Sequence, residues 1–162
     1  MLNAKNAFDV YQKIKALGEI ALNSEYTMVI DGKDEYTYLV KQFPVPQVTP
    51  EDVIEVPLIG GFKTATQQTP RFDFRGSIAF KENMEGAVRA LIESLQADVE
   101  IGVRPTFNAT LYLGTPDNFK QKWRIIDAVL FGFDPLDTDT ENRSQITVLQ
   151  GQIFYMYFPD VE

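Results

Sequence analysis

The sequence predicts an α+β protein that is mainly antiparallel β: a β barrel or sandwich flanked by a helix, with an N-terminal helix and a long inter-strand loop. Two observations lead to this fold class. Several segments alternate apolar with polar residues, which is the period of a half-buried strand. Two other segments repeat their apolar residues every three or four positions, as amphipathic helices do.

The length and composition predict one folded domain over residues 1–162. A chain of 162 residues is long enough to bury a single sizeable core, and its hydrophobic fraction of 44% is that of a globular protein. No run approaches the ~20 apolar residues that span a bilayer. The first residues lack the order of a secretory signal, so we expect synthesis in a cytoplasm.

The residue types that are missing exclude most familiar active sites. The chain has no cysteine and no histidine, which removes disulfides, thiolate nucleophiles, sulfur-ligated metals and the commonest general base. The stretch GGFKT (60–64) lacks the spacing of a phosphate-binding loop. We therefore predict a protein that is not an enzyme and needs no cofactor.

The acidic turn DTDTEN (137–142) raises the possibility of a calcium loop. Its sixth position is Asn142 where an EF-hand loop needs glycine, and its twelfth is Val148, which cannot supply a bidentate carboxylate. A solvated turn or subunit contact is the favoured interpretation. The net charge of −8 also argues against a nucleic-acid groove, because such grooves gain affinity from basic side chains.

The first part of the chain predicts a helix and then a hairpin. The helix is placed within 1–23, on an apolar stripe that includes Ala7, Val10, Ile14 and Leu17. The stretch EYTMVIDGKDEYTYLVKQF (25–43) then predicts two strands about an Asp31-Gly32 turn. From 44 to 70 the periodicity fades into a long proline-rich loop that holds one short strand, 53–59. That loop is too apolar for a solvated linker, so it is predicted to pack on something.

The second part predicts a strand, a helix and three more strands. The strand is 70–81, and the helix is capped by Asn83 with a stripe of Met84, Ala87, Val88, Leu91, Ile92 and Leu95. Strands follow at 104–114 and 122–133, the latter with Trp123, Ile125, Val129, Phe131 and Phe133 on one face. The closing strand QIFYMYF (152–158) is apolar on both faces. Its second face must be covered by a neighbouring chain or by the chain's own N-terminal helix.

In this order the segments resemble the tail tube proteins of contractile-tailed bacteriophages, whose fold is shared with the tube protein of type VI secretion systems. The resemblance covers nearly the whole chain. It rests on EYTMVIDG leading into YTYLVKQFPVP, on IEVPLIGG, on RFDFRGSIAFKEN running into EGAVRALIESL, and on the final ITVLQGQIFYMYF. It implies a single tail-tube domain in which six copies form a ring that lines a channel, with rings stacked into a tube.

The resemblance also implies a location in the virion tail and a set of partners. These are further copies of the chain, the sheath, the baseplate and the tail-terminator proteins, with DNA as transient cargo and no membrane insertion. Six copies at −8 each would carry −48, which keeps DNA from being trapped in the channel. The polar faces of 104–114 and of RFDFRGS (71–77) are the candidates for the channel lining.

In the matching proteins the loop after the first strands reaches adjacent subunits and rings, and 44–70 occupies that place here. The predicted subunit-interface residues are Val45, Val56, Leu58, Ile59 and Phe62 in the loop, and Phe154, Met156 and Phe158 in the closing strand. The alternatives are a baseplate-proximal or terminator ring, or a type VI-like tube protein. From another class, seven Tyr and twelve Phe also fit a monomeric ligand-binding β-barrel.

Overall fold

A computed structural model of the chain describes residues 3–97 and 105–160. Over these ranges the chain is built mainly of antiparallel strands, which confirms the predicted fold class. The helices are α1 (Ala4–Ala16) and α2 (Ala87–Ala97). The strands are β1 (Tyr26–Ile30), β2 (Val40–Gln42), β3 (Val53–Pro57), β4 (Lys63–Gln67), β5 (Asp73–Lys81), β6 (Phe107–Gly114), β7 (Phe119–Phe131) and β8 (Val148–Tyr157).

Six of the strands form one antiparallel sheet in the order β1-β6-β7-β8-β5-β2. A 3-10 turn at Asp34–Leu39 joins β1 to β2 and contacts both of these edge strands. The two edges of the sheet are thereby brought together, and the sheet is a nearly closed barrel. Closure matters because an open edge offers unpaired backbone groups to other chains.

The core fills the inside of this barrel. Tyr155, Phe80 and Met28 are the largest of the fully buried side chains, and α2 adds Val88 and Leu91. The alternation predicted for β5 and β6 is confirmed in the core positions of both strands. These positions are Ile78 and Phe80 in β5 and Ala109 and Leu111 in β6.

The predicted hairpin at 25–43 is wrong. Strand β1 pairs with β6, which places Met28 opposite Leu111, while β2 pairs with β5. Pairing with β6 puts Met28 in a core that a local partner could not supply, whereas Tyr38 of the expected second strand is 88% exposed. Gly32 does form a turn, with a φ of +72°, but the turn leads into the 3-10 segment.

The alternation predicted for 122–133 is wrong after Ile125. The pairing of β7 with β8 shifts between Ile126 and Val129, and Asp127 within that shift has a φ of 51°. A bulge adds a residue to one strand and moves the side chains that follow to the other face. Ala128 and Leu130 are therefore buried, and Val129 is exposed.

Helix α1 is shorter than the predicted 1–23 segment. The Asn3 side chain accepts a hydrogen bond from the Asn6 backbone N–H at 2.9 Å and caps the start. The helix ends at Ala16 because Gly18 adopts a φ of +90°, the left-handed conformation that commonly terminates helices. In the described parts of the chain, neither helix combines the length and apolar character that a bilayer crossing requires.

Helix α2 begins after a well-satisfied cap. The Asn83 side chain accepts from the Ala87 N–H at 3.0 Å, but Asn83 lies four residues before the helix and is not the N-cap residue that was predicted. The Glu82 carboxylate accepts from the Val88 and Arg89 N–H groups. The prediction that Met84 lies on the buried stripe is wrong. Met84 precedes the helix and is fully exposed, because the helix begins only at Ala87.

Two aspartate substitutions test whether Val88 is buried and Met84 is exposed. Val88→Asp puts a carboxylate among core side chains and should lower the free energy of unfolding by about 3 kcal/mol or more. Met84→Asp adds the same charge at an exposed position and should change it by less than about 0.5 kcal/mol. Urea denaturation measures both, and equal midpoints for the two variants would show that Val88 is not in the core.

Candidate assembly surfaces

Residues 51–70 form a hairpin outside the barrel, which we call the arm. Its strands β3 and β4 pair only with each other in the described sheets, with Val53 opposite Gln67 and Pro57 opposite Lys63. Every residue of the arm is exposed. The predicted inter-strand excursion is therefore present, but it holds two strands where one was expected.

The two faces of the arm differ in chemistry. Glu55 and Lys63 lie on one face, where their side chains form an ion pair at 3.3 Å. The other face, which we call the apolar face of the arm, carries no charge. Strand alternation and the observed register assign to it Ile54, Val56, Thr64 and Thr66, with Leu58 and Phe62 continuing the row at the turn.

This apolar face has no cover within the described chain. Ile54 is 48% exposed, Leu58 52% and Phe62 71%. An isolated two-stranded hairpin is only marginally stable in water, because its side chains lack a layer to pack against. Exposed apolar faces of this kind are typical of contact surfaces between molecules.

The start of the loop that carries the arm is fixed to the barrel by Tyr155. The Tyr155 hydroxyl donates a hydrogen bond to the Pro44 carbonyl at 2.9 Å. Burial raises the pKa of Tyr155 well above its usual range, so the hydroxyl remains a donor even at alkaline pH values where an exposed tyrosine ionises. Pro44 also lies directly over Gly76, where an added Cβ would sit 2.6 Å from the proline ring. This close approach requires glycine at that position.

The base of the arm is tied together by Arg71. Its backbone N–H donates to the Thr49 carbonyl at 3.2 Å, and Pro50 and Pro70 form an isolated bridge beside it. The Arg71 guanidinium lies 3.1 Å from the Glu51 carboxylate. Contacts at both ends therefore hold the arm in one direction relative to the barrel.

Helix α1 is a second element without cover. None of its residues is buried, and its apolar side chains include Phe8, Tyr11 and Ile14, each more than half exposed. Of the two alternatives for the second face of β8, cover by the N-terminal helix of the same subunit is therefore wrong. A short helix with one apolar stripe gains most of its stability from packing, so α1 also needs a partner surface.

The second face of β8 is partly covered by its own subunit. The Arg75 guanidinium lies over the rings of Phe131 and Phe154, at 5.5 and 6.0 Å from the ring centres. The rings of Phe72 and Phe158 pack together at 5.4 Å. Phe154 remains half-buried, so this face keeps some apolar surface for a neighbour.

On the side formed by β6 and β7 the outer surface of the barrel is polar. Thr110, Tyr112, Lys122 and Arg124 lie together there. Arg124 forms an ion pair with Asp31, and its hydrogen bond lowers the pKa of that carboxyl below its usual value. The polar face of β6 is therefore not acidic, and one of its neighbouring cations is neutralised within the subunit.

The structure separates the predicted interface residues into three groups. Val56, Leu58, Ile59 and Phe62 are exposed on the arm, and Phe154, Met156 and Phe158 are half-buried on or just after β8. Val45 packs against the barrel core. Their part in an interface stays a prediction.

Sequence reasoning missed two features of these surfaces. Ile54 lies near the middle of the apolar face but is absent from the predicted interface, and the second strand of the arm, at 63–67, is absent from the prediction. Gly60-Gly61 between two runs of β-branched residues is a hairpin signal that could have revealed it. The hydrogen bond from Tyr155 to Pro44 leaves no sequence signal, since it joins residues far apart in the chain.

The acidic turn is held by local hydrogen bonds. The Asp139 carboxylate accepts from the Glu141 N–H, and the Asn142 side chain accepts from Ser144. Within residues 3–97 and 105–160, no three acidic side chains are grouped so as to hold a metal ion.

Comparison with known proteins gives matches to solved structures alone. No family model matches the chain, and no curated protein sequence matches it. One similar structure is a chain of the PVC sheath–tube complex of an extracellular contractile injection system, in the extended state. It is 11% identical with a TM-score of 0.54, and the match covers 88% of this chain and 92% of that one.

Two further structures are of a related kind. The sheath/tube terminator of the PVC system is 11% identical with a TM-score of 0.53, over 86% of this chain and 94% of that one. The tube-terminating cap of the anti-feeding prophage is 10% identical with a TM-score of 0.54, over 85% and 88%. At such identities the likeness establishes the fold, which is the tail-tube-like fold of contractile injection systems.

Removing the Tyr155 hydroxyl should weaken the attachment of the loop to the barrel. Tyr155→Phe leaves the Pro44 carbonyl without its donor and should lower the free energy of unfolding by about 1–2 kcal/mol at neutral pH. The raised pKa also predicts a pH effect. Above about pH 10 the unfolded tyrosine ionises while the folded one does not, so stability falls as pH rises.

Urea denaturation of both proteins at pH 8 and pH 11 measures this effect. The wild type should lose more free energy of unfolding across that interval than Tyr155→Phe, which has no group to ionise at this site. An equal loss in the two proteins would contradict the burial of this hydroxyl.

Proposed function

We propose that this chain is the structural subunit of a phage tail tube, in which six copies form a ring and rings stack into a hollow channel for DNA. The observation that carries the proposal is the arm, whose apolar face has no cover within the described chain. The similar structures support it, because they belong to a sheath–tube complex and to tube terminators.

The barrel and the arm have complementary parts in this assembly. The nearly closed barrel leaves little free sheet edge, so it does not polymerise by adding strands. The arm projects from it and meets a surface of the next copy that is not another arm. Such a heterologous contact produces a ring when the rotation between copies closes, and a stack when it does not.

The charge of the chain suits a channel for DNA. At −8 per copy the subunit as a whole repels the phosphate backbone, which opposes lasting attachment of DNA to the basic side chains near the proposed lining. The polar faces of β6 and of the first half of β5 remain the candidates for the channel lining. Beside β6, Arg124 is already paired with Asp31, which reduces its attraction for phosphate.

A structural role also agrees with the interior of the barrel. The large side chains Tyr155, Phe80 and Met28 fill the space that a ligand-binding barrel would leave for an apolar ligand. We therefore favour a non-enzymatic subunit of the virion tail over a monomeric ligand-binding barrel. Its expected partners are the sheath, baseplate and terminator proteins.

A tube-terminator ring is the second candidate. The terminator and the terminating cap match this chain as well as the chain from the sheath–tube complex does. The two roles differ in what the purified protein forms, because a tube subunit stacks into tubes whereas a terminator stops at a single ring. A baseplate-proximal ring would also stop at one ring, and a type VI-like tube protein would stack.

A substitution on the apolar face of the arm tests the feature that these roles share, which is assembly into a ring through the arm. Leu58→Asp should leave the subunit folded and raise the concentration needed for assembly at least tenfold, about 1.4 kcal/mol, because it buries a carboxylate in the contact. Gln67→Asp is the matched control, since it adds the same charge on the other face of the arm and should have little effect.

Sedimentation and negative-stain electron microscopy read out the result. Wild type and Gln67→Asp should form sixfold rings or hollow tubes, and Leu58→Asp should remain monomeric at the same concentration. A wild-type protein that stays monomeric at all concentrations would contradict the proposed function. Rings that form equally well with Leu58→Asp would remove the arm from the contact.

A further inference from the structure

Two elements of the chain expose apolar side chains that nothing in the described chain covers. The arm exposes an apolar face and α1 exposes an apolar stripe, and neither element covers the other within one chain. The stripe of α1 is centred on Ala7, Val10, Tyr11 and Ile14, which lie three and four residues apart. Each element therefore exposes an apolar surface of the kind that could cover the other.

The two elements match in length. Helix α1 has 13 residues, which gives it a length of about 20 Å. The paired part of the arm has five residues in each strand, or about 17 Å, and the turn at Leu58 and Phe62 extends it. A single helix laid along the arm would cover its whole apolar face.

The two elements also carry opposite charge. Helix α1 holds three lysines and one aspartate and has a net charge of +2, although the chain as a whole is at −8. The arm holds Glu51, Asp52 and Glu55 against Lys63 and has a net charge of −2. Of the acidic residues of the arm, Glu51 is paired with Arg71 and Glu55 with Lys63. Asp52, beside the start of the apolar face, remains for Lys13 or Lys15, which flank the stripe of α1 on either side.

The other apolar surface of the chain suits α1 less well. Phe131 and Phe154 on the outside of the barrel are covered by the Arg75 guanidinium, and Lys122 and Arg124 lie further round the same barrel surface. A helix of net charge +2 placed there would bring its lysines near Arg75 and Lys122, while Arg124 is already paired with Asp31. The arm offers both an uncovered apolar face and the complementary charge.

We propose that α1 of one copy packs along the apolar face of the arm of a neighbouring copy. This contact depends on the proposed self-assembly, and it specifies which two surfaces of neighbouring copies meet. Each copy then gives its helix to one neighbour and its arm to another, so the contact is heterologous and can repeat around a ring. The residues 17–22, all exposed, link α1 to the barrel across this contact.

The absence of cysteine from the sequence allows a direct test. Ile14→Cys lies on the stripe of α1 and Val56→Cys lies on the apolar face of the arm. Both positions are exposed in the single chain, so neither change should affect folding. The two single variants are mixed, allowed to assemble and oxidised, and peptide mass spectrometry then identifies which cysteines are joined.

The expected product is a disulfide between position 14 of one chain and position 56 of another, seen without reduction as a band at twice the 18.4 kDa of the chain. Matched controls carry the cysteine on the opposite side of each element, as Asp9→Cys and Glu55→Cys. Their cross-link yield should be at least tenfold lower. Equal yields for the two pairs would overturn the proposal.

The other outcomes separate this proposal from the function on which it rests. Disulfides only between two Val56→Cys chains would mean that arms pack on arms, and disulfides only between two Ile14→Cys chains would mean that helices pair. Either result would contradict the contact between α1 and the arm without contradicting the tube function. Rings that form without a disulfide between positions 14 and 56 would have the same meaning. Mixtures that form neither rings nor cross-links overturn both.

Discussion

A hairpin of two strands cannot bury its own apolar face, and this constraint governs everything that lies outside the barrel. The arm presents Ile54, Val56, Leu58 and Phe62 to water, with only each other for contact. Three or more strands, or a covering helix, are needed to stabilise such a surface. In the proposed assembly a neighbouring copy supplies the layer that the described residues of one chain lack.

The barrel provides the fixed base that this arrangement requires. Its core is complete within one chain, with Tyr155 at its centre and α2 packed against it. The same Tyr155 donates to Pro44 at the start of the loop, and Arg71 ties the two ends of the arm together. These contacts set the direction of the arm in the single chain, so the proposed contact with a neighbour would cost little freedom on binding.

The sequence predicts those elements in which apolar residues repeat with the period of a strand or a helix that is buried on one face. Strands β5 and β6 alternate as their core positions require, and α2 buries Val88 and Leu91 of its predicted stripe. The failures concern partners and single insertions. The choice of β6 as partner for β1 depends on residues about eighty positions away, and the bulge at Asp127 changes faces without changing composition.

For the candidate assembly surfaces, too, the sequence predicts local features but not those that depend on the rest of the fold. The apolar residues in the proline-rich loop predicted a subunit interface at Val56, Leu58, Ile59 and Phe62, and the structure leaves these side chains exposed. The prediction places Val45 with them because it belongs to the same loop, but Val45 lies where the loop still touches the core. Which apolar residue is inside and which is outside is decided by where the chain leaves the barrel, and a single sequence does not carry that information.

Hydrogen–deuterium exchange of the arm tests the central claim most directly, because it reports whether the arm is held by its own chain or by another. In the dilute monomer the amides of β3 and β4 should exchange rapidly while those of β8 exchange slowly. On assembly at high concentration, exchange of the arm amides should slow at least tenfold. Arm amides that are as protected as β8 in the monomer, or that stay fast in the assembly, would contradict the account.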